Sequence, residues 1–139
     1  MQIYLPKIIH SSPTKLPILE KTILYYIIHK SFENTAITNE ELNVEIDLKT
    51  LYTILTNLRI EFTDIKSQIE SAINNLTKIN MSLVDNGFHI KVTPISNLYL
   101  DKFSYKLYVN VNPIIIEYLD QVFTGNYVTI DLNKVCKQA

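Results

Sequence analysis

The residues able to carry acid–base, nucleophilic or metal chemistry are few and scattered. His10, His29 and His89 fall outside the spacings that gather imidazoles around a metal, and Cys136 is the only cysteine. The chain has no glycine-rich phosphate loop, its only glycines being Gly87 and Gly125, and no serine or cysteine stands in a nucleophile motif. The expectation is a protein that binds and is not an enzyme, with no metal and no cofactor. Recognition chemistry concentrates between residues 64 and 92. In IKSQIESAINNLTKI the carboxamides of Gln68, Asn74 and Asn75 suit adenine edges, Lys66 and Lys78 suit phosphates, and Ser71 lies on the same polar face. Asn86, His89 and Lys91 add polar and basic groups just downstream. Glu70 partly offsets the lysines, so the competing reading of this surface is an ordinary solvated helix face.

The elements that must position these residues can be read from periodicity. Ile65, Ile69, Ala72, Ile73, Leu76 and Ile79 repeat at three and four, which predicts a helix over 64–80 with Thr63 or Asp64 as its cap. The segment SLVDNGFHIKV joins two apolar-rich runs through Asp85-Asn86-Gly87, the strongest hairpin signal in the chain, and predicts a hairpin over 82–92. Upstream, LPILEKTILYYIIHKSF is apolar on most sides and reads as a central buried helix, with Tyr25 and Tyr26 as core residues. AITNEELNVEI reads as a short helix on the strength of Thr38 and Glu41, spaced as a capping box. Leu48, Leu51, Tyr52, Leu55, Leu58 and Phe62 line one face of a further helix.

Downstream, YKLYVNVN alternates with a period of two and predicts a strand whose edge could pair with another chain. Asn112 is a good N-cap and Pro113 fits the first helical position, so a helix should run from there to Gly125, with a half-buried strand from Tyr127 to Leu132. Residues 1–15 read as an N-terminal arm and 133–139 as a C-terminal tail or linker stump.

Composition narrows the class. A chain of 139 residues with 47% apolar content builds one core, so a single domain over 1–139 is expected. The net charge of −1 and pI near 6.3 leave no basic tail, so any nucleic-acid affinity must come from a local patch. Arg59 is the only arginine, which argues against strong guanine readout. The single cysteine, the absence of a signal-like N-terminus and the lack of an apolar run of about 18 residues point to a cytoplasmic, non-membrane setting.

A helical core, a helix with a polar outer face and then a hairpin is the order of an α+β winged helix, a helix-turn-helix relative with a β-wing. The chain resembles the N-terminal winged-helix domain of the plasmid replication initiator (Rep) family. The resemblance rests on AITNEELNVEI, on INNLTKINMSLVD, and above all on VNVNPIIIEYLDQVFTGNYVTI. In the family an alternating strand leads into a helix of the form elxxYLxxL and then FTxYxL, and here Tyr118, Leu119, Phe123, Thr124 and Tyr127 follow in that order. The resemblance implies double-stranded DNA and a second copy of the chain as partners, with other replication proteins as further ones. It implies DNA contact through helix 64–80 and the 82–92 wing. In that family a second winged-helix domain is the stronger origin binder, so this first domain would serve dimerisation and secondary DNA contacts. The alternative from another class is a protein-interaction domain that presents a winged-helix surface to a partner chain without binding DNA. Convergence of Lys66, Lys78 and Lys91 on one surface favours the first, and an exposed apolar patch favours the second.

Overall fold

The computed structural model describes residues 1–34, 43–57, 65–123 and 125–137, with side chains described at 1–31, 44–57, 66–118 and 125–135. In chain order the elements are β1 (Gln2–Pro6), α1 (Lys7–His10), α2 (Ile18–Asn34), β2 (Asn43–Asp47), α3 (Leu48–Asn57), α4 (Ile65–Leu76), β3 (Met81–Asp85), β4 (Phe88–Val92), β5 (Ile95–Asp101), β6 (Lys106–Val111), α5 (Pro113–Phe123), β7 (Tyr127–Asp131) and α6 (Leu132–Lys137). The chain is a mixed α+β protein with small antiparallel sheets: β1 with β7, β3 with β4, and a three-stranded sheet in the order β2-β6-β5. No described helix is long and apolar enough to cross a membrane.

The α2 helix is the hub, packing against α4, α6, β1 and β2. Ile23, Leu24, Ile27 and Ile28 have no exposed surface, and Tyr25 and Tyr26 are buried beside them. Burying each of those aliphatic side chains contributes about 1.5–3 kcal/mol. Thr22 and Ser31 are buried on the same helix, and their hydroxyls donate back to the carbonyls of Ile18 at 2.8 Å and Ile27 at 2.9 Å. That pairing removes the cost of placing a hydroxyl in an apolar interior.

Three expectations change. The short helix expected over AITNEELNVEI does not extend through its second half, where Asn43–Asp47 form β2. Val44 and Ile46 point inward with a period of two, opposite Val109 and Leu107 of β6. Thr38 and Glu41, on which the expected capping box rests, lie outside the described residues. Residues 1–15, read as an arm, hold β1 and α1, with Ile3, Leu5 and Ile9 fully buried and β1 paired along its length with β7. Residues 133–139, read as a tail, contain most of α6, anchored by buried Leu132 and Val135. Short amphipathic ends are hard to tell from frayed ones by sequence, because their apolar residues find partners only in distant segments.

Most other elements fall where periodicity placed them, though the helix expected over 64–80 ends at Leu76 and β5 answers to no sequence expectation. The α3 helix starts directly after β2, with Asp47 Oδ1 accepting from the Lys49 amide at 2.9 Å, while residues 58–62 of the expected helix lie outside the described region. Asn112 caps α5, its Oδ1 accepting from the Ile114 amide at 3.0 Å, and Pro113 takes the first helical position. The Asn112 side-chain amide also donates to the Thr93 carbonyl at 3.0 Å, tying the start of α5 to the end of the β3–β4 hairpin.

Candidate nucleic-acid interface

The interface expected from sequence is built on α4 and the hairpin that follows it. Ile69, Ala72, Ile73 and Leu76 are buried and seat one face of α4 on the core. At 3.6 residues per turn, Ser67, Ser71 and Asn74 fall opposite that face, and Ser71 and Asn74 are exposed. Lys78 continues this line just beyond the helix, in a turn closed by its own amide donating to the Asn75 carbonyl at 3.0 Å. The flanks differ. Gln68 and Asn75 lie on the side toward α2, where the Asn75 side-chain amide donates to Glu20 Oε1 at 3.3 Å. Lys66 and Glu70 lie on the other side, and the Lys66 ammonium sits 5.0 Å from the centre of the Tyr105 ring.

The hairpin turn is built from backbone conformations that few residues adopt. Asn86 has φ +48° and Gly87 φ +84°, the pair of left-handed residues a tight primed turn requires. Register pairs Ser82 with Lys91 and Val84 with His89, so these four side chains share one face, while buried Met81, Leu83 and Val92 occupy the other. Asn86, His89 and Lys91 are all exposed, as is Phe88 at 74%.

This wing is fixed in place at several points. At its base the Ser12 hydroxyl donates to the Ser82 carbonyl at 2.6 Å and the Ser82 amide donates to Thr14 Oγ1 at 2.8 Å. The Thr93 hydroxyl donates to Asn80 Oδ1 at 2.8 Å, closing the foot of the hairpin beside the end of α4. Near the tip the Tyr118 hydroxyl of α5 donates to Asp85 Oδ2 at 3.3 Å. Desolvation, with the Asp85 carboxylate next, raises the Tyr118 phenol above its ordinary range, so it serves as a donor there at neutral pH.

The lysines do not form one cluster, so the convergence of all three that would favour DNA is not met in full, and exposed Phe88, Tyr99 and Phe103 supply apolar surface of the kind that favours a protein partner. Lys66 stands in the first turn of α4 and Lys78 just past the last, roughly 18 Å apart along the axis. Lys78 and Lys91 share the end of the helix where the hairpin begins, whereas Lys66 sits at the opposite end against the β5–β6 turn. Along α4, Ser71, Asn74 and Lys78 therefore share one line from which Lys66, Gln68 and Asn75 depart, while His89 and Lys91 share the outer face of the hairpin. Two groups escaped the sequence reading. Phe88 stands exposed at the wing tip, and its position directly after Asn-Gly was the signal for it. Tyr105, at φ +57°, accepts from the Leu48 amide at 3.0 Å through its carbonyl and lies beneath Lys66, so one turn steadies the starts of α3 and α4.

Besides Phe88 and Val84 on the wing, exposed apolar side chains gather at the three-stranded sheet. On the three-stranded sheet Tyr99 is 65% exposed, and Phe103 in the turn after β5 is fully exposed. Tyr99 and Tyr108 face each other across β5 and β6 with ring centroids 6.3 Å apart, flanked by Asn97 and Asn110. β5 forms an edge of that sheet. Comparison with protein families and with curated proteins finds no match to this chain.

Proposed function

We propose that the chain is a winged-helix-like domain that contacts double-stranded DNA without chemistry, as an N-terminal domain of a replication initiator would. In this reading the Ser71–Asn74–Lys78 line of α4 faces a groove, and the wing lays His89 and Lys91 along a backbone. The observation that carries it is the junction of α4 with the hairpin. A helix face free of large apolar side chains runs straight into an exposed turn whose orientation is locked from both sides by Thr14 and Tyr118. A pre-set wing keeps the ordering cost of binding low. Backbone amide shifts on adding an AT-rich duplex test the reading: perturbations confined to residues 66–80 and 84–92 support it, and perturbations centred on β5 and Phe103 contradict it.

A second reading has its own observation, the exposed Tyr99 and Phe103 beside the β5 edge. An unpaired edge is a template for strand addition, and the occupant that requires no further surface is a second copy of the chain paired antiparallel about a two-fold axis. Sedimentation of the wild type against Phe103→Ser and Tyr99→Ser tests it. Loss of a dimer in the variants supports strand pairing, and a wild type that stays monomeric at high concentration removes it.

A further inference from the structure

On another part of the molecule, α1, α2, β7 and α6 enclose a cleft of about 270 Å³ that the DNA reading does not use. His10, Lys21, Tyr25, Thr129, Asp131 and Lys134 line it. Three separate segments of chain deliver these groups, β7 running directly into α6, and the core holds each segment in place. Tyr25 is buried on α2 among fully buried neighbours, and Val135, one turn into α6, is buried as well. The pairing of β1 with β7 fixes Thr129 opposite Tyr4 and Asp131 opposite Gln2.

The charges in the cleft are unbalanced. Lys21 and Lys134 have no carboxylate within ion-pair distance among the described residues. The Lys21 ammonium lies 5.7 Å from the centre of the Tyr25 ring, which holds it at the cleft without neutralising it. Asp131 is the one carboxylate in the lining, and its Oδ1 is already engaged by the Asn133 amide at 3.0 Å and the Met1 amino group at 3.4 Å. Donor-bearing groups therefore outnumber the one carboxylate in the lining, whose Oδ2 is the acceptor left to meet them: two ammonium groups, an imidazole, and the hydroxyls of Tyr25 and Thr129. In a chain of net charge −1 this is a local excess of positive charge.

We propose that this cleft binds a phosphate monoester, with the phosphoryl oxygens between Lys21, Lys134 and His10 and the Tyr25 hydroxyl donating to one of them. A phosphate group offers three terminal acceptors and up to two negative charges, which matches the donor set better than a singly charged carboxylate does. The volume exceeds that of a bare phosphate and leaves room for an organic substituent against Ile130 and Val135. Burial raises the Tyr25 phenol above its ordinary range, so it remains a donor at neutral pH.

The test follows the His10 ring resonances of the full chain during titration with inorganic phosphate and with phenyl phosphate at constant ionic strength, with chloride as the control. The expected result is saturable, one-to-one perturbation of His10 by both ligands, tighter for the ester, with a rise in melting temperature at saturation. Lys21→Gln/Lys134→Gln should weaken both at least tenfold, and Tyr25→Phe about threefold, with melting temperatures in the absence of ligand near the wild type. Should the double variant fail to fold, Lys134→Gln alone, at an exposed site, should still weaken binding about threefold. Perturbation that chloride reproduces, or that survives the lysine substitutions in folded protein, overturns the proposal. So does a His10 response to duplex DNA with none to either phosphate, which would make the cleft a DNA-backbone contact. Because the DNA reading rests on Lys78 and Lys91, either idea can fail while the other stands.

Discussion

The amide of Ser82 donates to Thr14 Oγ1 at 2.8 Å, joining residues 68 apart in sequence at the base of the wing. The bond works because in an antiparallel pair alternate residues direct their backbone groups away from the partner strand. Ser82 turns its amide and carbonyl outward to Thr14 and Ser12, so two side chains stand in for a third strand. Thr14→Val keeps the shape and removes the acceptor. The expected loss is about 1–2 kcal/mol of unfolding free energy, with faster hydrogen exchange at the Ser82 amide than at the Leu83 amide. An unchanged Ser82 exchange rate would mean that the wing is held by other contacts.

The N-terminal strand carries core weight. Leu5 is fully buried, whereas Gln2 on the same strand is exposed. Leu5→Ala should cost about 2–5 kcal/mol in urea unfolding, as large-to-small changes in well-packed interiors do. Gln2→Ala should stay within about 0.5 kcal/mol of the wild type.

Acid should release a specific contact at the end of β7. The Asn133 amide, and after it the Met1 amino group, hold the Asp131 carboxyl below its ordinary range. A carboxylate depressed in the folded state contributes stability that is fully present above its unfolded pKa, about 3.9, and is lost as pH falls through the lower folded value. The melting-temperature gap between wild type and Asp131→Asn should therefore be constant from pH 5 to 7 and close below about pH 4. A gap that widens with acid would reverse the assigned sign.

The hairpin turn offers a local check. Gly87 sits at φ +84° with open space around a would-be Cβ, so Gly87→Ala introduces backbone strain without a clash. The expected cost is about 1 kcal/mol, with the hairpin amides losing exchange protection before those of α2.

How much of this was legible in the sequence depends on where each residue finds its partner. The hairpin, the Asn112–Pro113 helix start and the amphipathic α4 depend on neighbours within a few positions, and each was read correctly. β2 is hard to read because Val44 and Ile46 find their partners in Val109 and Leu107, more than sixty positions away. β1 and α6 read as loose ends for the same reason, since Ile3 and Leu132 acquire their surroundings only when the two ends of the chain meet. On α4, spacing identified the exposed polar face. It gave no hint that Asn75 turns to Glu20 or that Lys66 turns to Tyr105.

The most direct test of the DNA reading is the salt dependence of binding to an AT-rich duplex, measured by fluorescence anisotropy for the wild type, Lys78→Glu/Lys91→Glu and Lys66→Glu. Measurable binding is expected at low salt, weakening linearly on a log–log plot with a slope of about −2 to −4 for a few phosphate contacts. The Lys78/Lys91 double variant should lose at least tenfold in affinity and flatten that slope, while Lys66→Glu, at the far end of α4, should lose less. Absence of binding at low salt by the folded wild type, or equal binding by the double variant, would contradict the claim that α4 and the wing form a DNA-contacting surface.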